Sequence, residues 1–437
     1  MHVGAVLVFE AGPLALRHGG IDIERVRAYT ASRLSRSNRA QQRSVALALG
    51  RLPAWIDDPF FDLPYHVRHA ALPRPGDERQ LKRLAARIFS QALDPEKPPW
   101  EIWLVEGLDD GRFALIAKAD AALLAGADGF DPLAALVSDA AGDLIEAAPR
   151  VESRVTPGRI ALMRAELTRR AREVARPEAV GAALGHGLRS GLNALERALA
   201  PRFELPLTGP AGPHRRVEFL ALDQADLRLL RERLGGSRQA ILLATLAGAL
   251  RVFLARRGLE LDDLAVRALT PIGVGSATGV AVAPLVDLPL AAADPLLRLD
   301  ALRAVLEPAA CAGGEFSLLR DLAGLHTAAL AGRPASLCVS SLSAPTTPLF
   351  LLGSVLQSCV GVAPLLPGHT LGISATHLED RAMLGFTGDA ALVADLPLLA
   401  DAVAASFDEL RRLASGSVHP AKPRADQTRV RKRGAEA

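Results

Sequence analysis

From Pro334 to Leu378 the chain carries no Asp, Glu, Lys or Arg. A stretch of that length without charge has to be withdrawn from water, and few arrangements can hide it. Pro345, Pro348, Gly353, Gly361, Pro364 and Pro367 interrupt it, whereas a bilayer-spanning helix needs roughly 20 unbroken apolar residues. The run therefore reads as buried strands and turns, with SLCVSSL, PLFLLGSVL and GISATHL as the strands. A second constraint lies upstream. AILLATLAGALRVFLARRG is apolar on nearly every face until Val252, which marks a helix through the middle of a core, ended by Gly258. At 437 residues the chain exceeds one ordinary core, so two domains are expected.

The remaining segments supply the layers. VGAVLVFE opens as a strand, followed by an amphipathic helix from Asp22 with Val26, Tyr29 and Leu34 inward. WIDDPFFDLPYHVRHAAL is extended and punctuated by prolines. Asp77 caps a helix whose Leu81, Leu84 and Ile88 share one face. A hairpin, WEIWLVEGLDDGRFALIA, turns at Asp109-Asp110-Gly111, and its FALIA strand is apolar throughout, as expected of a strand covered on both faces. A second unit begins near His214 with VEFLALD. Asp223 then caps a helix with Leu227, Leu230 and Leu234 inward, stopped by Gly235-Gly236. A last helix from Asp395 presents Leu399, Val403, Leu410 and Leu413. This irregular alternation predicts an α/β chain of the α+β sandwich kind, in two domains with mixed sheets. The expected units are 1–150, an Arg-rich helical linker over 151–212, a second domain over 213–415 and a disordered basic tail over 416–437.

Composition removes several function classes. The net charge of +3 gives no global case for nucleic-acid binding. Cys311, Cys338 and Cys359 are far apart and lack metal spacing, which fits a reduced, cytoplasmic setting. MHVGAVLVFEAG lacks the basic start and long core of a signal peptide. In the linker, Arg159, Arg164, Arg169, Arg170, Arg172 and Arg176 accompany Ile160, Leu162, Met163 and Leu167. They suit either a solvated helix or one lying on an anionic membrane. The tail admits the same two readings.

KADAALLAGADGF, from Lys118 to Phe130, has the outline of a catalytic loop: a strand running out, a small-residue turn, then an apolar helix from Pro132. It holds no His, Ser or Cys to do chemistry. Elsewhere, GVGSATG from Gly273 follows no βαβ unit and lacks a later acidic partner, so it is no dinucleotide site. LLGSVL is not a nucleophile elbow, which needs G-x-S-x-G on a strand-to-helix turn.

LDPEKPPWEIWLVEGLDDGRFALIAKAD resembles the approach to the active site in the bacterial wax ester synthase/diacylglycerol acyltransferase family. MHVGAVLVFE, DDPFFDLPYHVRHAALPRPGD, GPAGPHRRVEF, ILLATLAGALR and GDAALVADLPLLADAVAASFDELRRL are similar to further stretches of that family, in the same order. The resemblance implies two chloramphenicol-acetyltransferase-like domains with a tunnel between them. Acyl-CoA would enter as co-substrate, with no permanently bound cofactor, and diacylglycerol or a long-chain alcohol would be the acceptor. The family motif HHxxxDG, whose second His acts as general base, falls on Asp120, Ala121, Ala122, Leu123, Leu124, Ala125 and Gly126. Only the glycine matches. Asp120 takes the first His position, Ala121 the catalytic one and Ala125 that of the Asp. The DG pair at Asp128-Gly129 comes three residues late and restores no base. An Asn-Asp pair expected before the core helix aligns with Gln239-Ala240, and an Asn-Val-Pro-Gly stretch aligns with Ser341 to Ala344. The stretch that usually precedes MHVG in the family is missing, through a truly short N-terminus or a mis-assigned start.

General-base catalysis typically supplies about 10²–10⁴ in rate, or about 3–5 kcal/mol of barrier, and a methyl group supplies none. Asp120 and His377 stand as substitute bases, against a cap role for the first and a structural role for the second. His66 and His69 belong to a segment the family keeps outside the site. The expectation is a family member with impaired or lost catalysis that still binds acyl-CoA or neutral lipid. The alternatives are an active O-acyltransferase with a substitute base, and a protein of the membrane's inner face or a lipid-droplet surface.

Overall fold

The computed structural model describes residues 2–17, 19–34, 37–46, 53–125, 129–142, 145, 168, 207–262, 264–270, 285–306, 318–320, 322–323, 335–343, 347–366, 368–378 and 381–416. Most of the linker, the GVGSATGV loop, Gly126, Asp128, Cys311, Ala344-Pro345 and the tail after Gly416 lie outside the described residues. The membrane reading, which depends on linker and tail, falls there too.

The first half runs β1 (His2–Glu10), α1 (Ile23–Leu34), the antiparallel pair β2 (Gln42–Ala46) and β3 (Pro53–Asp57), the short α2 (Leu63–His66) and β4 (Val67–Ala71). It continues with α3 (Glu78–Ser90), β5 (Trp100–Leu108), β6 (Arg112–Asp120), α4 (Ala121–Leu124) and α5 (Pro132–Leu136). The second half comprises β7 (Arg215–Asp223), α6 (Gln224–Leu234), α7 (Arg238–Arg256), β8 (Val266–Leu269), β9 (Leu285–Leu288) and α8 (Pro295–Leu306). After these come β10 (Leu337–Ser343), β11 (Phe350–Leu351), β12 (Ser354–Val362), β13 (Leu371–His377), β14 (Arg381–Asp389) and α9 (Leu396–Ala414).

Two six-stranded mixed sheets result, β11-β12-β1-β6-β5-β4 and β7-β14-β13-β10-β8-β9. The expected unit of 213–415 is therefore not self-contained. β12 leaves it and pairs antiparallel with β1, with Gly4 opposite Val362 and Leu7 opposite Cys359. The uncharged run thus feeds both sheets, because a strand that serves as sheet partner in one layer and packs on the next has no face for a charge. The sheets meet where Ser374 Oγ donates to Gly361 O at 2.6 Å. A side chain at Gly385 would put its Cβ 2.2 Å from that same carbonyl, so only glycine permits the approach.

Local signals produce the helices as expected. Asp77 and Gln80 form a reciprocal capping box at the start of α3, whose Leu81, Leu84 and Ile88 are buried. Asp223 accepts from Ala225 N at the start of α6. Leu234 and Leu413, expected inward, are only half-buried, because each lies in the last turn of its helix. The segment expected as extended from Trp55 to Leu72 contains α2 between two strands. In length and composition α7 could cross a membrane. Its Gln239–Leu250 circumference is instead enclosed by α8, α9 and the second sheet, in one apolar cluster with Leu299, Val403 and Ile373. α3 lies between the first sheet and β7: Lys82 pairs with Glu218, and Arg215 N donates to Ser90 Oγ at 2.8 Å.

Candidate active site at the end of β6

β6 alternates faces along its length. Ala117 and Ala119 join the cluster containing Trp100, Ala121, Leu123, Phe130 and Leu133, while Ile116 joins the cluster under α3 with Leu84 and Ile88. Lys118 and Asp120 share the parity of Ile116. The strand ends because Asp120 caps the next turn: its Oδ1 accepts from Ala122 N at 2.9 Å. Ala121, which the sequence reading aligned with the family's base, is 5 % exposed and belongs to that apolar cluster. Behind it Phe130 N donates to Leu123 O at 2.9 Å, and Gly129 sits so close that a Cβ would lie 2.3 Å from Leu124 O. Phe130 meets Trp100 edge-on at 6.0 Å. Ala125, in place of the motif Asp, is exposed and offers no polar group.

One anchor of this loop escaped the sequence reading. Asp131 is buried and its Oδ1 accepts from Leu133 N at 2.9 Å and Ala134 N at 3.2 Å, starting α5. Its Oδ2 accepts from Arg320 N at 3.4 Å, and the Arg320 guanidinium donates to Gly129 O at 3.1 Å. A residue of the second half thereby holds the motif loop. The signal was present in Asp131-Pro132, a capping residue followed by proline at the first helical position.

The substitute bases are not brought together. His377 shares the parity of Leu371, Ile373 and Ala375, which pack against α7, so its ring faces away from the first sheet. Burial, and then the charge of Arg238, push its pKa down to about 4. Leu378 and Arg381 share a cavity with Asp110 and Arg112, at the start of β6. Asp120, eight steps further along β6, is about 26 Å from that end at strand spacing. Gln239 is buried in the first turn of α7 with no partner for Nε2 among the described residues, and Ala240 is in the second core.

The other histidines have structural surroundings. His66 is fully buried, stacked on Trp100 at 4.6 Å and Phe61 at 5.0 Å, with Nδ1 at 2.8 Å from Trp100 O. Burial pushes it down to about 4. His69 Nε2 lies 3.2 Å from Glu106. His2, which the sequence reading did not weigh, is placed by β1 directly opposite Asp120. Burial first, then the charge of Lys118, push it down to about 4.

Lys118 is fully buried and spans to α3, donating to Ile88 O at 3.0 Å and to Gln91 O, with Glu101 Oε1 at 3.3 Å. Burial lowers its pKa, opposed by Glu101. Cys338 is pushed up to about 12 and Cys359 also upward, both by burial, so neither supplies a thiolate nucleophile. Among the described residues no group of three or more His, Cys, Asp or Glu side chains could hold a metal. Among the described residues Ala121 packs in an apolar cluster with Trp100, on which the buried His66 stacks with its Nε2 unpartnered.

Comparison with known proteins accords with this scaffold. A Mycobacterium tuberculosis protein assigned as a diacylglycerol O-acyltransferase is 29 % identical over 448 aligned positions, covering 94 % of this chain and 95 % of that protein. A second from the same organism, assigned likewise, is 41 % identical over 128 residues, 29 % of this chain and 45 % of that one. The wax ester synthase/diacylglycerol acyltransferase of Marinobacter aquaeolei VT8 superposes with a TM-score of 0.65 at 21 % identity, covering 95 % of each chain. The first condensation domain of the calcium-dependent antibiotic synthetase gives 0.55 at 16 % identity over 95 % of this chain and 91 % of that one. These two share the fold, the acyltransferase sandwich expected from the sequence. The profile of the wax ester synthase/diacylglycerol acyltransferase catalytic domain matches residues 1–239, and that of the family's C-terminal domain matches residues 281–411. The chain belongs to the wax ester synthase/diacylglycerol acyltransferase family.

Proposed function

We propose that this protein is an acyl-CoA- and neutral-lipid-binding member of its family in which the transfer step is lost or severely impaired. The observation that carries the reading is Ala121, a buried methyl group inside an apolar cluster at the position of the family's general base. An alcohol hydroxyl attacks a thioester poorly unless its proton is taken during attack, a contribution of about 10²–10⁴ in rate. Asp120 accepts the cap bond of α4, and His377 faces α7. The lipid-binding half of the proposal is supported by family membership and by its relatives' assignment as acyltransferases of diacylglycerol.

The test mixes purified full-length protein with radiolabelled palmitoyl-CoA and either diacylglycerol or hexadecanol. Saturable palmitoyl-CoA binding with ester formation at or below about one hundredth of an intact family member is expected. Turnover equal to that member would overturn the loss of catalysis, and absence of palmitoyl-CoA binding would overturn the ligand.

A further inference from the structure

The outward lines of two long helices are charged, with Arg79, Arg83 and Arg87 exposed on α3 and Asp401, Asp408 and Arg411 exposed on α9. α8 departs from this pattern. Its Leu299, Leu302 and Leu306 join the second core, yet the opposite side exposes Leu296, Leu297, Asp300, Ala301, Ala304 and Val305. Leu297 is 60 % exposed and Val305 56 %, so neither is a core side chain showing only an edge. They stand about 12 Å apart along the axis, and Ala301 and Ala304 fall between them on the same face. Val252 of α7, 45 % exposed, extends the patch. It lies one turn beyond Gly248, against which the Arg298 guanidinium of α8 packs. A helix apolar on every side belongs in an interior, and a contiguous exposed apolar patch marks an interaction surface.

The order of side chains on this face is its own complement. A two-fold axis through Ala301 runs two copies of α8 antiparallel and sets Leu297 of one copy on Val305 of the other. Alanines at the crossing let the helix axes approach to about 8 Å. Charge favours the same arrangement. Asp300 and Arg303 pair within the helix at 3.3 Å, and the antiparallel copy brings its Arg303 beside Asp300, so that carboxylates and guanidiniums alternate. A parallel pair would instead set Asp300 against Asp300. A bilayer is a poorer occupant, because Asp300 lies in the face that would enter it and the exposed positions of α8 include no cation for anionic lipid.

We propose that α8 is the centre of a two-fold interface through which two copies of this chain associate, antiparallel about Ala301, with Val252 at the margin. One helix pair is small beside the about 800 Å² per partner of a standard interface, so the association is reversible and depends on concentration. It goes beyond the proposed ligand and catalytic state and depends on neither.

Sedimentation velocity of the full chain over a concentration series tests it, and the sedimentation coefficient should climb from monomer to dimer. Leu297→Glu enters the interface twice and should weaken the dimer at least about a hundred-fold while thermal unfolding is unchanged. Asp300→Arg should weaken it about ten-fold, and Asp300→Arg combined with Arg303→Asp should restore it. On mild oxidation Ala301→Cys should form a disulfide-linked dimer above the level of the unaltered chain, whereas Asp408→Cys on the exposed face of α9 should not. A monomer at every concentration, or a dimer indifferent to Leu297→Glu, would overturn the interface. So would flotation of a monomeric chain on phosphatidylglycerol vesicles that is lost in Leu297→Glu, since the patch would then belong to a bilayer.

Discussion

The last residues of β6 show two faces of one strand that have gone different ways. On one, Ala117, Ala119 and then Ala121 are packed among Trp100, Leu123 and Phe130. On the other, Lys118 and Asp120 stand beside His2, within a single strand repeat of those alanines. The face with Ala117, Ala119 and Ala121 is core, and the opposite face carries polar groups. An alanine where the sequence reading places the family's base thus need not loosen the surrounding fold. The alanines fill space as a core requires, and the ionic contacts that tie α3 to the sheet do not depend on the missing imidazole.

The largest test of that contrast removes the polar face. Lys118→Met would leave Glu101 buried with only Arg68 at 3.5 Å and strip a donor from Ile88 O and Gln91 O. Urea unfolding should show a loss of about 3–5 kcal/mol; a change below about 1 kcal/mol would mean the polar face is not what holds α3.

Stacked on Trp100 of that apolar cluster, His66 is neutral in the native state because burial holds its pKa at about 4, well below the ordinary imidazole value of 6.5. The unfolded chain takes up that proton first as pH falls. Its contribution, on the order of 3 kcal/mol, is therefore complete above about pH 6.5 and is lost progressively toward pH 4. His2 and His377 act in the same direction. Thermal unfolding between pH 7 and 4 should show this decline, and His66→Phe should flatten it; an unchanged slope in that variant would place the acid sensitivity elsewhere.

Restoring the base sharpens the comparison further. Ala121→His should overpack the cluster by about 1–3 kcal/mol and leave ester formation at background, since Ala125 and Gln239-Ala240 offer the ring no orienting partner. A gain of a hundred-fold would show that the pocket is intact apart from one side chain. The smallest effect belongs to Asp120→Ala, which should cost about 1 kcal/mol for the lost cap. Asp120→Asn should retain most of that stability. If either variant lowered ester formation at equal stability, Asp120 would be the base.

Much of this was legible beforehand because it is local. Asp77, Asp120 and Asp223 each begin a helix, and the FALIA strand and the all-round apolar α7 fell where their periodicity placed them. The roles of particular polar residues were not legible. His377 and His2 each sit on an apolar strand, and only the sheet pairing tells which face each ring takes. Asp131 was readable as a cap, but its bond to Arg320 joins residues far apart in the chain.

By itself the sequence determined most of the strands and helices, and that a large uncharged portion must be interior. Those are consequences of side-chain periodicity, capping chemistry and residue identity, all properties of neighbours along the chain. The tertiary structure alone decided that β12 crosses to the first sheet and that His377 turns toward α7. Each of these depends on strand order and register, and a one-residue change of register would reverse every side chain concerned.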